Sequence, residues 1–292
     1  MNASQKFTQK FTYSAQQFAT FRVIFGLFLT QHFLCLIPYA PELYSSSGML
    51  PSAQMNLTYG YFPNLLELID HPRGTYCFLG VCVGLSIAFT LGIARRWCAF
   101  ALFYGLNCLY HRNNLTHHLG VNYVGWLLLM SSVVPSGEGW SSSHQQRARG
   151  VWYLPSILYW GGWMIFGLSY TVSGLDKLQN PNWTGGWAIH YIAQSPETSE
   201  GWTAPMLSMP IWAQRSITWL SLSLEISALP LILFQWARRC LWVGLFFMHL
   251  GIMVVMGFYD LTGGILCFYL FLMDPQWFSR LVHQRRLPRG TA

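Results

Sequence analysis

The chain alternates between apolar runs long enough to cross a bilayer and short polar breaks. Eight runs stand out, at about 18–40, 74–94, 97–112, 118–135, 152–175, 211–236, 241–257 and 260–273. An α-helix rises 1.5 Å per residue, so roughly 20 apolar residues traverse the hydrocarbon core. The third and eighth runs are short by that measure. The stretch from Leu241 to Met273 is too long for one crossing, and "GFYDLTGG" (257–264) supplies glycines and an acid where a hairpin turns. The pattern predicts an all-α, polytopic integral membrane bundle of about eight transmembrane helices, forming one domain over residues 1–292.

Composition supports that class. Apolar residues make up 53% of the chain and charged residues 9%, against about 25% charged in a soluble domain. The net charge of +7 arises from basic residues clustered at run ends, which reads as a topology signal and not as a nucleic-acid surface. With eight crossings, Lys6, Lys10, Arg95, Arg96, Arg147, Arg149, Arg238, Arg239, Arg280, Arg285, Arg286 and Arg289 fall on one side. That side is expected to be cytoplasmic and to hold both termini, as in a multi-pass protein of a bacterial inner membrane. The N-terminus shows neither a short apolar core nor a cleavage site, so the first helix is expected to be its own anchor. The connections 41–73 and 176–210 then face the exterior. Within the latter, "NWTGGWAIHYIAQ" (182–194) predicts a short amphipathic helix on the membrane surface. The serine-rich 136–150 reads as a flexible cytoplasmic loop. Seven cysteines without a CxxC read as buried thiols, with no metal or disulfide framework.

Charges in or beside apolar runs are costly and mark candidate sites. They are Arg22, His32, the "YHRNNLTHH" hinge (110–118), Lys177, Glu225, His249 and Asp260. The proposed topology places the hinge, Lys177 and Asp260 toward the exterior, His32 in the exterior half of its helix, and Glu225 and His249 near mid-span. Each has a plain reading. Lys177 can snorkel to the interface, Arg22 and Glu225 can pair only to satisfy buried charge, and His249 can be a core histidine bonded to a backbone carbonyl. His117 and His118 are adjacent, so on a helix they point about 100° apart and do not serve one metal; no metal is expected. Lys177 has the clearest chemistry. An apolar setting strips solvation from an ammonium and frees the neutral amine to act as a base. Ser173 lies one turn earlier, but no further triad element supports a serine–lysine hydrolase.

"SGLDKLQNPNWTGGWAIHY" (173–191) has a Gly three residues before a Lys-Leu pair, a Trp six after the Lys, then Gly and Ala. With "FRVIFGLFL" (21–29), "RNN" (112–114), "SSVVPSGEGWS" (131–141) and "MHLGIMVVMGFYDLTGGILCFYLFLMD" (248–274), it resembles the horizontally transferred transmembrane family. That family includes the membrane part of vitamin K-dependent gamma-glutamyl carboxylase. The resemblance covers most of the chain. It implies a membrane enzyme that uses a reduced, vitamin K-like quinone at the exterior side to modify a peptide or small substrate. In it Lys177 is the matching base, His249 and His117 assist, and Asn113, Asn114, Trp183 and His32 line the cofactor. The implied partners are the lipid bilayer and a secreted peptide or protein. Three departures stand out. An Asn-Asn-His run of the carboxylase corresponds here to Asn113, Asn114 and Leu115, with His117 two residues later; the lysine-to-tryptophan interval is one longer than in the carboxylase, though it fits the stand-alone bacterial members; and 292 residues are expected to leave no room for the large extramembrane part that grips a protein substrate. Two other classes are weighed beside the enzyme: an accessory membrane factor for maturation or export of a secreted peptide, and a transporter built on Arg22, Glu225 and Asp260. The transporter lacks paired broken helices in two matching halves.

Overall fold

A computed structural model of the chain describes residues 13–140 and 152–284. Lys6, Lys10, Arg147, Arg149, Arg285, Arg286, Arg289 and the distal part of the serine-rich loop lie outside the described residues. The described residues contain helices and no strand. The longer helices are α1 (Ala15–Leu36), α2 (Pro72–Leu91), α3 (Arg95–Arg112), α4 (Leu119–Val133), α5 (Ser156–Leu178), α6 (Ile211–Ile226), α7 (Gln235–Met256) and α8 (Tyr259–Leu272). Each coincides with one of the eight apolar runs.

Among the described residues, three segments are long and apolar enough to cross a membrane: Ala15–Tyr44, Pro72–Leu91 and Gln235–Met256. Leu27, Val81, Ile87, Phe247 and Val254 on these helices are exposed, an apolar surface that suits lipid and would be a liability in water. Leu119–Val133 and Tyr259–Leu272 are apolar but shorter. The 211–236 run departs most from expectation. Its helix stops at Ile226 and resumes only for Ala228–Leu231, because Pro230 lacks an N–H and its ring clashes with the carbonyl four residues back, that of Ile226. Thr171 of α5 stitches the break: its Oγ1 lies 3.4 Å from the carbonyls of Glu225 and Ile226 and accepts from Leu229 N at 3.0 Å.

Local chemistry sets the other ends. Ser14 caps α1 by accepting from Gln17 N at 3.1 Å, and His71 caps α2 through Nδ1 to Gly74 N at 3.0 Å with Pro72 at the first position. Gly257 ends α7 at φ +67°, the left-handed conformation that closes a helix cheaply only at glycine. The hairpin between α7 and α8 thus turns within the predicted GFYDLTGG segment.

The chain divides into two compact units: residues 1–155 with 275–292, and residues 156–274. In the first, α1 packs along α2 and α3 along α4, with Phe18, Phe21, Phe25 and Phe89 fully buried. Charge lies at its heart. Arg95 Nε is 3.0 Å from Glu138 Oε1, its guanidinium also donates to the carbonyls of Ser131, Val134 and Pro135, and Arg22 Nε lies 3.8 Å from the same carboxylate. Arg22 further donates to the Trp140 carbonyl at 2.5 Å. Arg22 and Glu138 are 0% exposed and Arg95 3%. The reading of 136–150 as a flexible loop is therefore corrected for Glu138, and Arg95 is a buried strut for the loop after α4 as well as a charge at a helix end. Arg112, in the 110–118 hinge, is 0% exposed and donates to the Leu50 carbonyl at 2.9 Å. A lone buried guanidinium is prohibitively costly, so each arginine collects carbonyls and an acid.

Within the second unit α5 packs on α6 and on Ala228–Leu231, and α7 pairs with α8. Two glycines of α5 allow the close approach. A Cβ at Gly167 would sit 3.2 Å from Leu229 Cα, and one at Gly174 would sit 2.7 Å from Ile226 N. This approach builds the site.

Candidate active site

Tyr170, Ser173, Gly174 and Lys177 recur at i, i+3, i+4 and i+7, so they share one face of α5. Because Gly174 presses against the end of α6, Glu225 lies opposite Lys177. The Lys177 ammonium contacts Glu225 Oε2 and donates to Ser173 Oγ at 3.1 Å, while Ser173 Oγ donates to the same Oε2 at 3.2 Å. The three groups close a ring of hydrogen bonds. Lys177 keeps 24% of its side-chain surface exposed and Glu225 only 4%. Lys177 stands in the last turn of α5, where the helix dipole favours a cation.

The segment after α5 brings an aromatic face to the amine. Asn180 Oδ1 accepts from Asn182 N at 2.9 Å and starts the Pro181–Thr184 turn, which sets the Trp183 ring 4.9 Å from Lys177 Nζ. The predicted amphipathic helix over 182–194 is realised as two short helices, Pro181–Thr184 and Ala188–Ala193, divided at Gly186 with φ +80°. Trp219 Nε1 donates to the Thr184 carbonyl at 3.1 Å, Ile189 N to Thr218 Oγ1 at 3.2 Å, and the Arg215 guanidinium stacks 4.3 Å from Trp187. The segment is thus docked on α6.

One turn before Ser173, Tyr170 opens a second polar cluster. Its hydroxyl lies 2.5 Å from His249 Nε2 and 2.8 Å from the Tyr269 hydroxyl. Tyr170, His249 and Tyr269 are all buried, and Phe166, Trp242 and Phe246 surround Tyr269. His249 does not bond a backbone carbonyl as its plain reading expected. A tyrosine hydroxyl takes that place, and Nδ1 is left buried with no hydrogen-bond partner among the described residues.

Of the seven site residues that the resemblance implied, Lys177, Trp183 and His249 therefore fall in the second unit. The other four lie in the first. Asn113 is 0% exposed and its amide is spent on structure, donating to the Leu43 carbonyl at 2.8 Å and accepting from Leu115 N at 3.0 Å. Asn114 opens the short turn to Thr116. His117 Nε2 lies 3.0 Å from Asn122 Oδ1 with Tyr110 against its ring, at a cavity of about 190 Å³ also lined by Phe103 and Trp126. His32 sits against Phe28 and Phe33, its ring centroid 6.1 and 5.0 Å from theirs. Asp260 stands in the first turn of α8.

Glu225, Ser173, Tyr170 and Tyr269 are the groups that sequence reading left outside the site. The mid-span acid and the i, i+4 spacing of Ser173 and Lys177 were the available signals; for the two tyrosines there was none. What the set can do follows from its protons. A lysine and a glutamate in contact can exchange one proton, and a serine bridging both keeps the path short. Comparison with protein-family models, with curated proteins and with solved structures finds no match to this chain.

Proposed function

We propose that the chain is a membrane enzyme that takes a proton from a reduced quinone, with the Lys177–Glu225 pair as the base. One observation carries the reading: the Lys177 amine touches a buried carboxylate on one side and keeps a quarter of its side chain open beside Trp183 on the other. The residues fit such a cofactor in kind. An aromatic ring offers a stacking face, and a proton acceptor stands at its edge.

The chain's own steps are then simple. Glu225 takes a proton from the Lys177 ammonium, Lys177 as amine takes a proton from a substrate hydroxyl, and Ser173 holds the two in line through its bonds to both. The pair thereby gains one proton, which it must return before the next turnover. Tyr170, His249 and Tyr269 position the same face of α5 from below. A reduced quinone, when bound, would supply the electrons for reaction with oxygen. The packing of Lys177 against Glu225 and Trp183 leaves only a quarter of its side chain open, which would limit the access of water to that chemistry. The reading extends to topology: eight crossings, both termini cytoplasmic, Lys177 near the exterior face, and a substrate that is a secreted peptide or a small molecule.

The test is oxygen uptake by the purified full chain with a reduced naphthoquinone, alongside mass spectrometry of lipids that copurify. Quinol-dependent uptake that disappears in Lys177→Ala at unchanged membrane yield supports the reading. A copurifying peptide without quinone or uptake supports the accessory role instead.

A further inference from the structure

We propose that the helix Pro275–Gln284 lies in the membrane interface and binds anionic phospholipid headgroups. Only two residues, Met273 and Asp274, separate it from the end of the apolar α8, so the chain leaves an apolar run and turns at once into a different kind of helix. Along it Trp277, Phe278 and Leu281 recur at i, i+1 and i+4, which gathers them on one face, while Gln276 and Arg280 are offset from that face. Trp277 and Phe278 are half-buried, Leu281 is 58% exposed, and Ser279 and Arg280 are exposed. Part of the apolar face is therefore left uncovered by protein.

Charge decides what covers it. From residue 275 to 292 the sequence has four arginines, Arg280, Arg285, Arg286 and Arg289, and no acid. The acid that precedes it in the sequence, Asp274, is already held by Arg239 at 2.6 Å. A short helix with an apolar face and an exposed Arg280, followed in the sequence by three more arginines and no acid, fits a surface that is greasy below and anionic above. A layer of phosphodiester headgroups is that surface, and basic residues next to a membrane are drawn to anionic lipid in this way. The inference is independent of the reaction proposed for Lys177.

Trypsin cleavage after Arg280 reads the state of this helix directly. The full chain is placed in lipid nanodiscs of phosphatidylcholine alone and of phosphatidylcholine with phosphatidylglycerol, and loss of the C-terminal fragment is followed by intact mass. Cleavage at Arg280 is expected to be at least about tenfold slower with the anionic lipid, and the protection is expected to vanish at high salt. It is also expected to vanish in R285Q/R286Q/R289Q, which removes charge, and in Leu281→Glu, which removes the apolar anchor. Equal cleavage in the two nanodiscs overturns the proposal, as does full protection in either variant.

Discussion

Gly174→Ala is the smallest change that reaches the site through packing alone. A Cβ there would lie 2.7 Å from Ile226 N, 2.9 Å from Ile226 Cγ1 and 3.1 Å from the Glu225 carbonyl carbon. The shortest ordinary contact is 3.4 Å, and the nearest obstacle at 2.7 Å is backbone, so α5 and α6 must part by about 0.7 Å. Overpacking of this kind costs about 1–3 kcal/mol, which lowers the unfolding midpoint by roughly 2–12 °C at about 2–4 °C per kcal/mol. Because Glu225 is carried by the element that moves, the Lys177 contact loosens as well, and misplacement near 1 Å costs up to about 100-fold in rate. Gly80→Ala supplies the matched control, since nothing lies within 4 Å of its added Cβ and alanine is the better helix former by roughly 1 kcal/mol. Thermal unfolding of both variants in the same detergent is the assay. If Gly174→Ala melts with the parent chain, the close approach of α5 to α6 is not what seats Glu225, and the reasoning fails.

Removing Glu138 by substitution with Ala leaves Arg22 and Arg95 facing each other without their acid, so a loss of about 3–5 kcal/mol is expected, seen as a collapse in the yield of folded, monodisperse protein. Lys177→Met strands the buried Glu225 carboxylate and Glu225→Leu strands the half-buried Lys177 ammonium, so each is expected to destabilise singly; the double variant is expected to be more stable than either, and additive losses would show that the pair does not interact. Tyr170→Phe removes the hydroxyl that meets His249 Nε2 and the Tyr269 hydroxyl, at about 1–3 kcal/mol, and chemical denaturation in detergent should show a lower midpoint without loss of helix content in the native state.

The positions of the helices were largely legible because lipid-facing and core-facing helices are both apolar, so a run announces itself whichever way it points. Gly257 and the break before α8 were legible for the same reason: glycine and an acid cannot continue an apolar helix cheaply. The stop at Ile226 was missed although Pro230 was in plain sight, since hydropathy averages over a proline. At the site, Lys177 and Trp183 are six residues apart and joined by one turn, so local spacing found them. Glu225 is 48 residues from Lys177, and only the packing of Gly174 on Ile226 makes them neighbours. Tyr170 and Tyr269 were invisible in a chain with 15 tyrosines, where composition gives no reason to prefer any pair. Glu138 was hidden by its serine-rich surroundings, which look like a loop and conceal that two arginines need an acid.

The most direct test of the account is quinol-dependent oxygen uptake by Lys177→Arg. Arginine keeps the positive charge and can still pair with Glu225, but it does not give up its proton to become a base. Uptake lost in a folded, membrane-inserted Lys177→Arg protein is the predicted result. Full uptake by that variant would mean that the position needs only a cation, and the proton-transfer role assigned to Lys177 and Glu225 would be wrong.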